Sequence, residues 1–228
     1  AALPGHSQLL GSLAHEIVGA VMTEKPSSPD AAAERADTLF AQTGPRLAAP
    51  LFLPGADAQR AESLQVARES AKLLARFLVE GWTVESVEGS YAGKAFETNL
   101  EGRMDLVLAR GDARAVVDLK WGGAKYRRES LVGGTALQLA TYAELLRQNG
   151  APDVAVGYFI LQTQALLSGD ARLTLGSPTL SVGATPAQTW KTLAAAQQRS
   201  WNAVAQGQLT APGALAAPVE ETALNHDG

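Results

Sequence analysis

The stretch from residue 102 to 120, Gly-Arg-Met-Asp-Leu-Val-Leu-Ala-Arg-Gly-Asp-Ala-Arg-Ala-Val-Val-Asp-Leu-Lys, restricts the fold more than any other part of the chain. Two largely apolar runs meet at Gly111-Asp112, a dipeptide suited to the tight turn of a β-hairpin. With that dipeptide at the centre of the turn, Asp105 faces Asp118 and Arg103 faces Lys120. Side chains alternate along a strand, so Arg103, Asp105, Val107, Val116, Asp118 and Lys120 fall on one face. Met104, Leu106, Leu108, Val117, Leu119 and Trp121 fall on the other, as a core-facing set.

The hydrophobic period differs on the two sides of Trp82. Before it, Leu9, Leu10, Leu13, Ile17, Val18 and Met22 recur at three- and four-residue spacing, which predicts an amphipathic helix over residues 7–23. Lys25-Pro-Ser-Ser-Pro-Asp breaks that helix, and Asp30 is expected to cap a second one ending about residue 42. Gly44-Pro45 and Pro54-Gly55 punctuate the next stretch. A long helix over 56–80 then carries Leu64, Val66, Leu73, Leu74, Phe77 and Leu78 on its apolar face, and Gly81 ends it. After Trp82 the period is two, with strands expected over 83–88, 102–109, 114–121 and 154–161. A helix over 130–148 lies between the last two strands, and a final helix over 186–205 carries Trp190, Leu193 and Trp201. This order implies one α/β domain with a central mixed β-sheet flanked by helices. The domain is expected over residues 1–211, with a helical N-terminal part over 1–80, followed by a loosely ordered tail over 212–228.

At 228 residues the chain is long enough to bury the core of one such domain. Its longest serious apolar run, residues 154–161, is strand-sized and far short of the roughly 18 residues of a membrane span, so no membrane partner is expected. The N-terminus lacks a basic region and does not read as a signal peptide; the missing initiator Met suggests an excised or processed chain. There is no Cys, which excludes disulfides, thiolate zinc sites, a cysteine nucleophile and a cysteine-ligated iron–sulfur cluster. The expected location is cytoplasmic. A net charge of −4 argues against a protein that coats nucleic acid by bulk electrostatics. The local picture differs, because residues 120–128 hold four basic side chains and no acidic one. Gly89-Ser-Tyr-Ala-Gly-Lys94 is one residue short of a phosphate-binding loop and is followed by Ala, so nucleotide hydrolysis is not expected.

Two carboxylates directly opposite each other destabilise a strand pair unless something neutralises them. A divalent cation does so with hard oxygen ligands, and Lys120, two residues beyond Asp118, can reach whatever the cation holds. The set suits metal-assisted phosphodiester hydrolysis. The competing reading is a solvated face on which Arg103, Asp105, Asp118 and Lys120 form ordinary ion pairs. Composition favours a site, since Asp is disfavoured inside strands that are otherwise apolar.

Gly102-Arg-Met-Asp105, then Val116-Val-Asp118-Leu-Lys120, then Gln138-Leu-Ala-Thr-Tyr142 resembles the PD-(D/E)XK nuclease superfamily, and within it the RecB/AddB-like exonuclease domains. The resemblance covers residues 7–210 in the expected order; Met104 stands where the superfamily's name puts proline, and the iron–sulfur staple of some relatives is missing. It implies a restriction-endonuclease-like core and a metal-dependent DNA nuclease, of exonuclease type, acting in recombinational repair alongside a helicase domain or subunit. It implies Mg²⁺ or Mn²⁺ held by His15, Asp105, Asp118 and the Leu119 carbonyl, with Lys120 assisting the attacking water. His15 lies on the first helix between Gly11 and Gly19, small residues that let the helix approach the sheet closely. Gln138 and Tyr142 share a helix face and are expected to organise the site or contact DNA. Lys125, Tyr126, Arg127 and Arg128 are expected to bind nucleic acid. Glu85 and Glu88 both stand where relatives carry an acidic residue, and the sequence does not choose between them. The rival to a nuclease is a non-catalytic nucleic-acid-binding or scaffolding module that keeps the fold; a third reading is an unrelated α/β domain whose Asp-x-Lys is structural.

Overall fold

A computed structural model describes residues 6–96 and 98–208. Five strands form one sheet whose spatial order is the sequence order: β1 (Thr83–Ala95), β2 (Thr98–Arg110), β3 (Ala113–Lys120), β4 (Asp153–Ile160) and β5 (Ala165–Ser168). Every neighbouring pair is antiparallel except β3 and β4, which run parallel and therefore need a crossover between them. That crossover is helical, α5 (Ala124–Val132) and α6 (Leu137–Gln148).

Four helices precede the sheet: α1 (His6–Thr23), α2 (Pro29–Leu47), α3 (Asp57–Leu74) and the short α4 (Arg76–Val79). Their apolar faces pack with Leu106, Leu108, Val117, Leu119 and Phe159 in one core. On the other sheet face, Leu139, Tyr142 and Leu145 of α6 pack with Met104, Val107, Val116, Tyr158 and Ile160 in a second core. The last helix, α7 (Pro186–Ala205), packs on α6. Coverage on both faces explains why residues 115–119 of the central strand are all buried, Asp118 included.

The α/β class, the mixed sheet and its flanking helices are as the sequence implies. The hairpin register is also as expected, from Arg110 opposite Ala113 to Leu106 opposite Val117, and Gly111 at φ +58° supplies the backbone conformation the two-residue turn needs.

Several boundaries differ for physical reasons. Ser28 caps α2 by accepting the Ala31 N–H at 3.1 Å, while Asp30 instead pairs with Lys72 at 2.7 Å. That helix runs through Gly44-Pro45, and the Phe52 ring packs where a Cβ on Gly44 would come within 2.5 Å, which is why the position is glycine. The long third helix breaks at Ala75, between α3 and α4, before Gly81 ends it at φ +86°. The helix expected over 130–148 is two helices interrupted at Gly133-Gly134, so most of the basic run belongs to α5 rather than to a loop. Strand β5 carries no alternating signal and was not expected. The tail over 212–228 lies outside the described residues.

The largest correction concerns β2. Met104 joins Val107 and Val116 in the second core, while Leu106 joins the first, so strict alternation fails between Met104 and Val107. The ladder to β3 stops at Leu106–Val117, one residue short of Asp105. The aspartates are therefore not a flat cross-strand pair on one regular face.

Gly102 lies where α6 crosses β2. An added Cβ there would meet the buried Leu145 Cδ1 at 2.8 Å and the Tyr142 ring at 3.2 Å. Gly102→Val is expected to lower stability by about 1–3 kcal/mol through overpacking, read as a lower urea midpoint. An unchanged midpoint would mean α6 is not held against this strand.

Candidate active site

Helix α1 approaches the sheet through two glycines. A Cβ on Gly11 would lie 3.1 Å from Trp121 Cβ, and one on Gly19 would lie 3.3 Å from Val87 Cγ1. The approach puts His15 between two acids, with Nε2 3.2 Å from Asp105 Oδ2 and Nδ1 3.1 Å from Glu88 Oε1. Asp105 Oδ2 also accepts the Leu119 backbone N–H at 2.7 Å, which holds the carboxylate in the gap where the β2–β3 ladder has ended. The hydrogen bond to Asp105 raises the His15 pKa, helped by the charges of Asp105, Glu88 and Asp118 and opposed by burial.

The structure separates the two glutamates. Glu85 pairs with Arg114 and accepts from the Tyr91 hydroxyl at 3.4 Å. Glu88 turns toward His15 because β1 is irregular here: the register shifts between Val84 and Ser86, and Glu88 sits at φ +52°. A non-glycine residue in the left-handed region costs on the order of 1 kcal/mol or more, and such strain persists where surrounding structure over-determines it. Ligand atoms of His15, Glu88 and Asp105 lie within 4.8 Å of one another, the one group of three or more among the described residues that could hold a metal ion. Glu88 Oε2 also meets Arg103 Nε at 2.6 Å.

Asp118 lies beside this triad rather than within it. It is fully buried, and burial followed by the Asp105 charge pushes its pKa from 3.8 up to about 6, against the pull of Lys120 and Arg127. Lys120 Nζ sits 2.7 Å from Asp118 Oδ2, a charge-assisted contact that opposes the pKa rise, while Oδ1 has no hydrogen-bond partner among the described residues. Buried carboxylate oxygens without donors are costly unless a cation takes them. The imidazole and two carboxylates of His15, Asp105 and Glu88, with the orphaned Asp118 oxygen beside them, fit a divalent cation.

Gln138 and Tyr142 meet on α6, the amide donating to the tyrosine hydroxyl at 2.8 Å. Tyr142 is largely buried in the second core, and burial raises its pKa. The basic run divides. Lys125, Tyr126 and Arg128 are exposed, whereas Arg127 turns inward and lies over the Tyr158 ring at 5.2 Å, with Nε enclosed. Tyr158, beside Asp118 in the parallel ladder, has its pKa pushed up to about 12 by burial. The run of basic residues alone does not reveal this inward turn; the helical phase of α5 is the signal that separates Arg127 from its neighbours.

The raised pKa values give a testable stability profile in metal-free protein. Between pH 3.8 and about 6 the folded chain holds the Asp118 proton more tightly than the unfolded chain does. Stability therefore falls as pH rises through that window, and the penalty is complete above it. His15 acts in the same direction: its stabilisation is present below 6.5 and lost as pH rises through its higher folded value. Urea unfolding in EDTA is expected to show wild type more stable near pH 5 than near pH 7.5 by about 1–3 kcal/mol. Asp118→Asn should flatten the profile, and adding Mg²⁺ near pH 7.5 should raise the wild-type midpoint but not that of the variant. A flat wild-type profile would exclude a charged, buried Asp118.

Comparison with known proteins bears on these elements together. No curated protein matches the sequence. The family model of the PD-(D/E)XK nuclease superfamily matches residues 3–214. That span takes in α1, the β2–β3 hairpin and α6, so the match covers every element that converges on Asp105 and Asp118. A match over nearly the whole chain makes it a member of the PD-(D/E)XK nuclease superfamily.

Proposed function

We propose that the chain is a Mg²⁺- or Mn²⁺-dependent deoxyribonuclease of exonuclease type, acting in recombinational DNA repair beside a helicase domain or subunit. The observation that carries the nuclease reading is the buried Asp118, one oxygen paired with Lys120 and the other without a donor, adjoining the His15–Asp105–Glu88 group. The exonuclease, repair and helicase parts rest on the ordered resemblance to RecB/AddB-like domains.

His15, Asp105, Asp118 and the Leu119 carbonyl would hold the cation, with Glu88 joining them. Bound there, it would supply positive charge against phosphoryl oxygens and make a nearby water more acidic. Lys120, itself partly exposed, holds its ammonium against Asp118, where it can hydrogen-bond an attacking oxygen and offset negative charge that develops on the phosphoryl group. Asp105 is preorganised by the Leu119 N–H, so it needs no rearrangement to act. Tyr142 accepts from Gln138, which leaves its own hydroxyl proton free to donate to a phosphate oxygen. Lys125, Arg128 and the exposed Tyr126 contact the strand beyond the scissile bond, by charge and by stacking.

Labelled linear and circular DNA incubated with Mg²⁺, Mn²⁺ or EDTA tests the reading. Linear DNA is expected to be degraded from its ends with either metal and spared in EDTA. Lys120→Ala and Asp118→Asn should each lower kcat by about 10²–10³-fold. Binding without cleavage in every metal would instead support the scaffolding module, and cleavage of closed circles would overturn the exonuclease part alone.

A further inference from the structure

In the β1–β2 ladder Val87 faces Leu106 and Gly89 faces Met104, which sets Glu88 opposite Asp105. Like charges directly opposite each other destabilise a strand pair, and two side chains offset this repulsion. His15 lies between the carboxylates, with Nδ1 on Glu88 Oε1 and Nε2 on Asp105 Oδ2. Arg103, two residues before Asp105 on β2 and diagonal to Glu88, brings Nε to 2.6 Å from Glu88 Oε2. Among the described residues Glu88 is its one carboxylate partner. The Arg103 side chain is 68% exposed, against 29% for Glu88, so the guanidinium reaches the pair from the solvent side.

Arg103 thus stands where two charges of opposite kind have to come. A divalent cation held by Glu88 and Asp105 cancels both carboxylates, and the guanidinium beside them becomes excess positive charge repelled by the cation. An exposed ion pair is weakly held, and a long side chain that leaves it regains rotamer freedom. A guanidinium has no acceptor and offers several N–H donors in a plane, which match the non-bridging oxygens of a phosphate. We propose that Arg103 and the divalent cation compete for Glu88, and that the guanidinium so displaced takes a phosphate oxygen of the bound strand. The proposal rests on the nuclease reading and deepens it: cation and strand bind cooperatively, with Arg103 passing from the carboxylate to the phosphate. Arg103 is then a substrate-binding residue, distinct from Lys120, whose ammonium stays with the buried Asp118.

Two binding measurements test this apart from turnover. The first is calorimetric titration of Mn²⁺ into the protein without DNA. Arg103→Gln should bind Mn²⁺ about three- to tenfold more tightly than wild type, because one competing positive charge is gone, and Arg103→Lys should stay close to wild type. In a Glu88→Gln background, Arg103→Gln should bring no tightening. The second is fluorescence anisotropy of a labelled oligonucleotide in the Lys120→Ala background, which slows cleavage. There Arg103→Gln should weaken DNA binding about tenfold with Mn²⁺ and less than about twofold in EDTA, where Glu88 retains the guanidinium. Unchanged or weaker Mn²⁺ binding by Arg103→Gln, or an equal loss of DNA affinity with and without Mn²⁺, would overturn the exchange while leaving the nuclease reading in place. Absence of both Mn²⁺ binding and DNA cleavage in wild type would overturn both.

Discussion

A negative charge in the middle strand of a sheet covered on both faces is the constraint from which the site follows. Asp118 sits fully buried on β3, flanked by Val117 in one core and Val116 in the other. Burying a carboxylate costs several kcal/mol unless cations and donors surround it. Lys120 provides one countercharge on the same strand, and Arg127 approaches from α5. Lys120 reaches only Oδ2 and no described residue donates to Oδ1, so the fold leaves Asp118 incompletely compensated while the flanking apolar residues are packed in full. That imbalance is the chemical basis for reading the place as one that receives a cation.

The irregular backbone around Asp118 has the same origin. The β2–β3 ladder stops before Asp105, β1 shifts register near Glu85, and Glu88 adopts a left-handed conformation. Each departure sits within a few residues of a titratable group and turns it toward His15. Regular pleating would have sent Glu88 and Asp105 where alternation dictates, and the group with His15 would not form. The strain is local because the flanking segments, with Leu106, Leu108 and Val117 on one side and Met104, Val107 and Val116 on the other, are fixed by two separate cores. Glycines complete the arrangement at a distance: Gly11 and Gly19 admit α1, and Gly102 admits α6.

Much of this was legible in the chain. Period-two runs around Gly111-Asp112 dictated the hairpin and its register, since that dipeptide leaves few other turns available. Asp105 and Asp118 stood out because carboxylates there contradict the apolar strands around them, Lys120 by its place two residues beyond Asp118, and Gln138 and Tyr142 through the family resemblance. Helix ends at Gly81 and the span of α7 were also readable, from local backbone chemistry. Where local signals competed, the sequence misled: Gly44-Pro45 looks like a stop, yet the helix runs on to Leu47 and uses the glycine to admit the Phe52 ring.

What the sequence determined by itself was the α/β class, the paired strands and the acidic and basic residues that could do chemistry, because those depend on period, turn preference and composition. The tertiary structure decided which of them act together. Glu88 rather than Glu85 joins His15, Arg127 turns inward while its neighbours stay exposed, and Asp105 leaves the regular face it was expected to share with Asp118. Those choices depend on a register shift, one left-handed residue and the helical phase of α5. Packing between elements far apart in the chain sets the first two, and the third is readable only once residues 124–132 are known to be helical.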